Sequence, residues 1–272
     1  MGMTKDQVQR AIFMAAVCSE TYTQFMNPDG SFVLPSAYTL YDTIEAKSLN
    51  RIWEPFGFII QSDTEIIVAF RGTSSTTNWI DDAMASQIPF KYIKESCLTH
   101  RGFTNIYASA RKQVLSALSK LSSDKALFIT GHSLGGALAT MCAVDIASNT
   151  DYTPFLFTYG SPRVGDSDFV RACTLHVPNS YRIANLYDVV TYAPPLILKL
   201  PRQDTTFYYN HVPILFQLEF MNGSIAANHI ISSYFTALAE LDPEFTGRLC
   251  SANPGFCPET EANVPKVQVP VK

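Results

Sequence analysis

No stretch of the 272 residues is apolar over the roughly 20 positions a membrane-spanning helix requires, so a helical bilayer span is not expected. Dense Lys/Arg runs are missing as well. With 20 basic against 24 acidic residues the formal net charge is -4, which argues against a nucleic-acid partner. Cys18, Cys97, Cys142, Cys173, Cys250 and Cys257 lack the spacing of a zinc site. Cys18 and Cys142 read as small buried hydrophobes on helices, while Cys250 and Cys257 are near enough in sequence to pair. Internal repeats, low-complexity segments and linkers are absent, so residues 1–272 read as a single domain whose tail from about 243, rich in Pro and Glu, is loosely attached. The N-terminus has no basic segment ahead of a long apolar run. No signal peptide is expected, and the compartment leans cytoplasmic unless a signal has been removed.

What is present is an alternation of strand and helix patterns. Residues 6–24 carry apolar side chains at helical spacing. Residues 57–61 and 65–70 flank Ser62-Asp63-Thr64 as a hairpin. A short apolar stripe follows at Trp79, Ile80, Ala83 and Met84, then a long helix over 102–121 and the strand-like run Ala126-Leu127-Phe128-Ile129. Further strands are expected at 155–159, 180–185, 207–209 and 213–219, with a short helix over 166–173 and a closing helix over 225–241. This order implies an α/β fold with a mostly parallel central sheet flanked by helices.

The most informative stretch is Thr130-Gly131-His132-Ser133-Leu134-Gly135-Gly136-Ala137. It lies between an apolar strand and an alanine-rich helix, the context in which Gly-x-Ser-x-Gly forms a nucleophile elbow. A serine in that sharp turn exposes its hydroxyl above the sheet, and the helix beginning at Leu134 points free amides at developing negative charge.

A serine hydroxyl needs a base to take its proton. His132 is adjacent in sequence and is expected to point away. His100 and His176 fall before the last core strands, which leaves His229, at the start of the terminal helix, with His211 as competitor. The acid that orients the imidazole is expected at Asp188, directly after the 180–185 strand. Asp166 and Asp168 look instead like the cap and first turn of a helix. For the oxyanion, the Leu134 N–H is one expected donor. Thr73, in the turn Arg71-Gly72-Thr73, is the other.

Together these stretches resemble the class 3 lipases. The resemblance rests on Ala69-Phe70-Arg71-Gly72-Thr73, Asn78-Trp79-Ile80-Asp81-Asp82, His100-Arg101-Gly102-Phe103, the elbow, Tyr159-Gly160-Ser161-Pro162-Arg163-Val164-Gly165, Asn185-Leu186-Tyr187-Asp188-Val189-Val190 and Asn228-His229, in the family's order. It implies an α/β-hydrolase fold with a triad of Ser133, Asp188 and His229. It also implies an oxyanion hole from Thr73 and Leu134, and a short lid helix around Thr76–Ala85 carrying Trp79, Ile80, Asp82, Ala83 and Met84. Val190 stands where the family commonly has proline. The implied activity is carboxylester hydrolysis of acylglycerols at a transient lipid–water interface, needing no metal or cofactor. Phospholipase A1 or feruloyl-type esterase chemistry is the alternative, and an inactive lipid-binding hydrolase fold the remote one.

Overall fold

The structure is a computed structural model that describes residues 2–73, 85–200 and 204–259. Helix α1 (Lys5–Met26) starts at a reciprocal cap in which the Thr4 side chain and Gln7 satisfy each other's free donors. Strands β1 (Thr39–Lys47), β2 (Trp53–Gln61) and β3 (Glu65–Phe70) follow as an antiparallel meander. The small strands β4 (Gln87–Pro89) and β5 (Leu98–His100) pair ahead of α2 (Arg101–Leu118). The chain then alternates: β6 (Ala126–His132), α3 (Leu134–Asn149), β7 (Phe155–Tyr159), α4 (Ser167–His176) and β8 (Ser180–Asn185). After a 3-10 turn at Val189–Tyr192 come the hairpin β9 (Ile197–Lys199) and β10 (Thr206–Tyr208), then β11 (Leu215–Leu218). Helices α5 (Ile225–His229), α6 (Ile231–Ala239) and α7 (Pro243–Ala252) complete the described residues.

Seven strands form one sheet in the order β1-β2-β3-β6-β7-β8-β11, parallel from β3 onward. Its strands are apolar on both faces because both faces are covered. Ile66, Val68 and Phe70 of β3 pack towards α2 and α3, whereas Ile67 and Ala69 pack towards α1 and α6.

Two expectations need correcting, and one strand was not foreseen. Strand β1 was not legible, because bulges between Leu40 and Asp42 and between Ile44 and Glu45 break its two-residue alternation. The expected single helix over 225–241 is two, split at Ile230, whose φ of -62° and ψ of 144° leave helical space. The tail is not loose over 243–259. Phe256 is buried against Phe13 of α1, the Ser36 N–H donates to Asn253 Oδ1, and Cys250 bonds Cys257. That disulfide closes a loop of sequence separation 7. Replacing both cysteines by serine is expected to lower stability by about 2 kcal/mol through the greater freedom of the open chain. Urea denaturation of the two forms checks this, and equal midpoints would remove the role.

Candidate active site

The site grows from the carboxyl end of the parallel strands. β6 ends at His132, and Ser133 then takes φ 58° and ψ -129°, a conformation that L-residues rarely hold outside functional turns. The flanking glycines are required by close approach. A Cβ on Gly131 would lie 2.1 Å from Gly135 O, and one on Gly135 would lie 2.2 Å from Phe70 O. The Ser133 N–H is held by Tyr159 O at 2.9 Å, and Ser133 O accepts from Gly136 N at 2.9 Å.

Ser133 Oγ lies 2.8 Å from His229 Nε2, and His229 Nδ1 lies 2.7 Å from Asp188 Oδ2. A carboxylate can only accept, so Nδ1 carries the proton and Nε2 is left to accept from the serine hydroxyl. All three residues are buried. Asp188 follows β8 and caps the 3-10 turn, its Oδ1 accepting from Val190 N at 3.0 Å. Its Oδ2 also accepts from Tyr234 OH at 2.6 Å. Two donors besides the imidazole therefore fix the position of this carboxylate.

His132 does more than point away. Its ring centroid is 4.7 Å from that of His229. Its Nε2 is 2.6 Å from the backbone carbonyl of His229, which can only accept, so Nε2 donates. Nδ1 must then accept, and it takes the proton of Tyr22 OH at 2.6 Å. The Tyr22 oxygen in turn accepts from Gly72 N at 3.1 Å. Burial, reinforced by His229, keeps His132 well below the usual histidine range, so it is neutral. One chain of hydrogen bonds thus joins the Gly72-Thr73 turn to the backbone of His229. Sequence offered no signal for Tyr22, a helical tyrosine 110 residues from its partner.

The same turn is fixed from below by Arg71, buried between Phe25 and Phe56. Its Nε donates to Pro55 O at 2.6 Å, its Nη1 to Gly72 O at 2.7 Å, and its Nη2 pairs with Glu54 at 2.8 Å. Thr73 and Ser133 line one cavity of about 480 Å³, walled by Phe25 and Met26 of α1 and by Ile230 and Ile231 at the α5–α6 break. Leu134 is the first residue of α3, where a backbone N–H has no partner within its own helix. Trp79, Ile80, Asp82, Ala83 and Met84, expected on a lid, lie outside the described residues.

The competitors lie elsewhere. His211 Nε2 bonds Thr191 O at 2.5 Å, His100 caps α2, and His176 pairs with Glu95. Asp166 caps α4, and Asp168 pairs with Arg171.

Gly160 supplies a further test. Its φ is +55°, and a Cβ there would lie 2.8 Å from Asp188 Oδ2 and 3.1 Å from His229. Gly160→Ala is expected to shift both side chains and lower kcat/KM by about 10²-fold on an ester substrate. An unchanged rate would mean that the site tolerates this displacement.

The fold built this way is the α/β-hydrolase fold. A lipase from Rhizopus microsporus var. chinensis shares it with a TM-score of 0.60 and 24% identity, over 78% of this chain and 82% of that one. Residues 67–198 match the family model for lipase (class 3). The secreted mono- and diacylglycerol lipase 1 of Fusarium solani is 31% identical over 154 residues, which is 55% of this chain and 45% of that protein. Phospholipase A1-II 1 of Oryza sativa subsp. indica is 36% identical over 159 residues, 48% of this chain and 40% of that protein. The chain spans less than half the length of these curated relatives.

Proposed function

We propose that the protein is a serine carboxylester hydrolase that cleaves acylglycerol esters. The observation that carries this reading is the unbroken line Ser133 Oγ–His229–Asp188, with 2.8 and 2.7 Å links, opening into an apolar cavity. His229 takes the Ser133 proton as the hydroxyl oxygen attacks the ester carbonyl. Asp188 stabilises the imidazolium, and the amides of Leu134 and Thr73 receive the tetrahedral oxyanion. His229 then protonates the departing alcohol. Water, activated by the same base, splits the acyl-enzyme and releases the acid.

The printed name of the Fusarium relative supports acylglycerols as the substrate class. Phospholipid cleavage at the first acyl position is the second reading, supported by the Oryza phospholipase A1. Rates on emulsified diacylglycerol, emulsified triacylglycerol and phosphatidylcholine vesicles separate the two. Faster turnover of phosphatidylcholine than of either acylglycerol would overturn the first reading. Failure of Ser133 to label with a fluorophosphonate would overturn both, and leave a binding module.

The lean towards the cytoplasm finds no support. No helix among the described residues is long and apolar enough to cross a membrane, which by itself assigns no compartment. The Cys250–Cys257 disulfide and the secreted Fusarium relative support an oxidising, extracellular setting as part of this proposal.

A further inference from the structure

Beyond the triad, one cluster has charge without counter-charge. In the parallel pair β8–β11, Arg182 stands opposite Leu215 and Ala184 opposite Gln217, so these four side chains share one face of the sheet edge. Arg163, on the loop after β7, closes a cavity of about 130 Å³ over that face, with His211 and Tyr192 completing its wall. Arg163 is 9% exposed. Its Nη1 donates to the carbonyls of Tyr192 and Pro194, while its Nε is buried with no acceptor among the described residues. The one protein acceptor of Arg182 among the described residues is Val212 O, 3.3 Å from its Nε. Neither arginine has a carboxylate within ion-pair distance among the described residues, although five other arginines do.

We propose that this cavity is a phosphate-binding site, in which Arg163 and Arg182 grip a phosphate-type oxyanion held either on a phospholipid headgroup or free in solution. Placing a buried and a half-buried guanidinium group on the wall of one cavity is costly unless an anion joins them. Burial, and then the neighbouring Arg163, lower the Arg182 guanidinium to about 10. Guanidinium forks match phosphate oxygens in geometry as well as charge. The volume suits a head-sized group, being below the range of sites that enclose whole drug-sized ligands. Leu186, Tyr192 and Leu215, all exposed apolar side chains, also line the cavity and would lie against whatever the phosphate is attached to. The site is built without Ser133, so it stands or falls independently of the ester-hydrolase reading.

The test uses the full chain and thermal unfolding with inorganic phosphate, with glycerophosphocholine, which has no acyl ester to cleave, and with octanoate. Chloride at matched ionic strength is the control. Phosphate, glycerophosphocholine or both are expected to raise Tm, and which one does so identifies the source. Arg182→Gln is expected to weaken the apparent affinity about tenfold or more, the loss of one charge-assisted contact. Gln217→Glu, close in shape, brings a carboxylate to the arginines. It gives up the bond from Gln217 Nε2 to Glu219 Oε1, so its ligand-free Tm is only the baseline, and it is expected to abolish the response to phosphate. Equal Tm shifts in all three proteins, no shift beyond that of chloride, or a stronger response to octanoate than to either phosphate compound would each overturn the proposal.

Discussion

Ser133→Ala is expected to lower ester hydrolysis by about 10⁴- to 10⁶-fold while leaving the far-ultraviolet spectrum and Tm near those of the parent. The size follows from chemistry. Without the hydroxyl there is no acyl-enzyme, and only oxyanion stabilisation and binding remain. Asp188→Asn is expected to cost ~10⁴-fold, since an amide at Nδ1 no longer fixes the tautomer that makes Nε2 a base. The contrast with His211→Ala is informative. His211 bonds a backbone carbonyl at Thr191 rather than the serine, so its loss is expected to leave turnover largely intact. Steady-state kinetics on a soluble short-chain ester measure all three, with His229→Ala as the fourth variant for comparison. Persistent activity in Ser133→Ala would remove the proposed nucleophile, and loss in His211→Ala equal to that in His229→Ala would remove the distinction between the histidines.

The second large effect is a loss of stability in acid. Burial lowers His100 to about 3. His211 is also lowered to about 3, by burial first and then by Arg182. His132 lies well below its usual range. In the unfolded chain each takes up a proton near the ordinary histidine value. From about pH 6.5 down to about 3 the unfolded state therefore binds more protons, and stability falls as pH falls. Each of His100 and His211 is expected to remove on the order of 4 kcal/mol once pH reaches the bottom of that window. Glu20 opposes them. Buried in α1 with Val33 N donating to it at 2.7 Å, it is raised to about 7, chiefly by burial. The folded state then holds the extra proton between about pH 4.5 and 7, so this residue alone favours lower pH there. Three histidines against one glutamate give a net loss, measurable as a falling urea midpoint at pH 7, 5.5 and 4. Glu20→Gln keeps an acceptor for Val33 and is expected to steepen that fall by stabilising the protein at pH 7 and above. A midpoint that stayed level to pH 4 would contradict the assignment of buried neutral histidines.

Much of this was legible because local and global preferences coincide in the middle of the chain. The run from Ala126 to Val144 reads as strand, turn and helix by apolar pattern alone, and folds that way. Asp188 was expected to meet a histidine from its place after a strand, and its Oδ2 lies 2.7 Å from His229 Nδ1. The rest was hidden where long-range contacts decide. Tyr22 reaches His132 across 110 residues, and Tyr234 reaches Asp188 across 46. No spacing rule links such pairs. Arg163 belonged to a recognisable Pro-Arg-x-Gly turn, but its missing counter-ion appears only when β8 and β11 are brought side by side.

The break between α5 and α6 shows such a conflict resolved by the fold. By pattern alone residues 225–241 prefer one helix, in which the His229 carbonyl would accept from Ser233 N. Instead Ser233 N turns to Ile230 O at 3.1 Å, and the freed carbonyl is taken by His132. The kink is thus imposed from outside the segment, a small frustration kept in the native state because other contacts over-determine it. Because His132 of β6, backed by Tyr22 of α1, holds this carbonyl, His229 is expected to reach its place beside Ser133 only after both elements have docked. Partly folded chains are expected to be inert towards esters. Hydrogen exchange is expected to reflect this order, with amides of α6 losing protection together with those of α1 rather than before them.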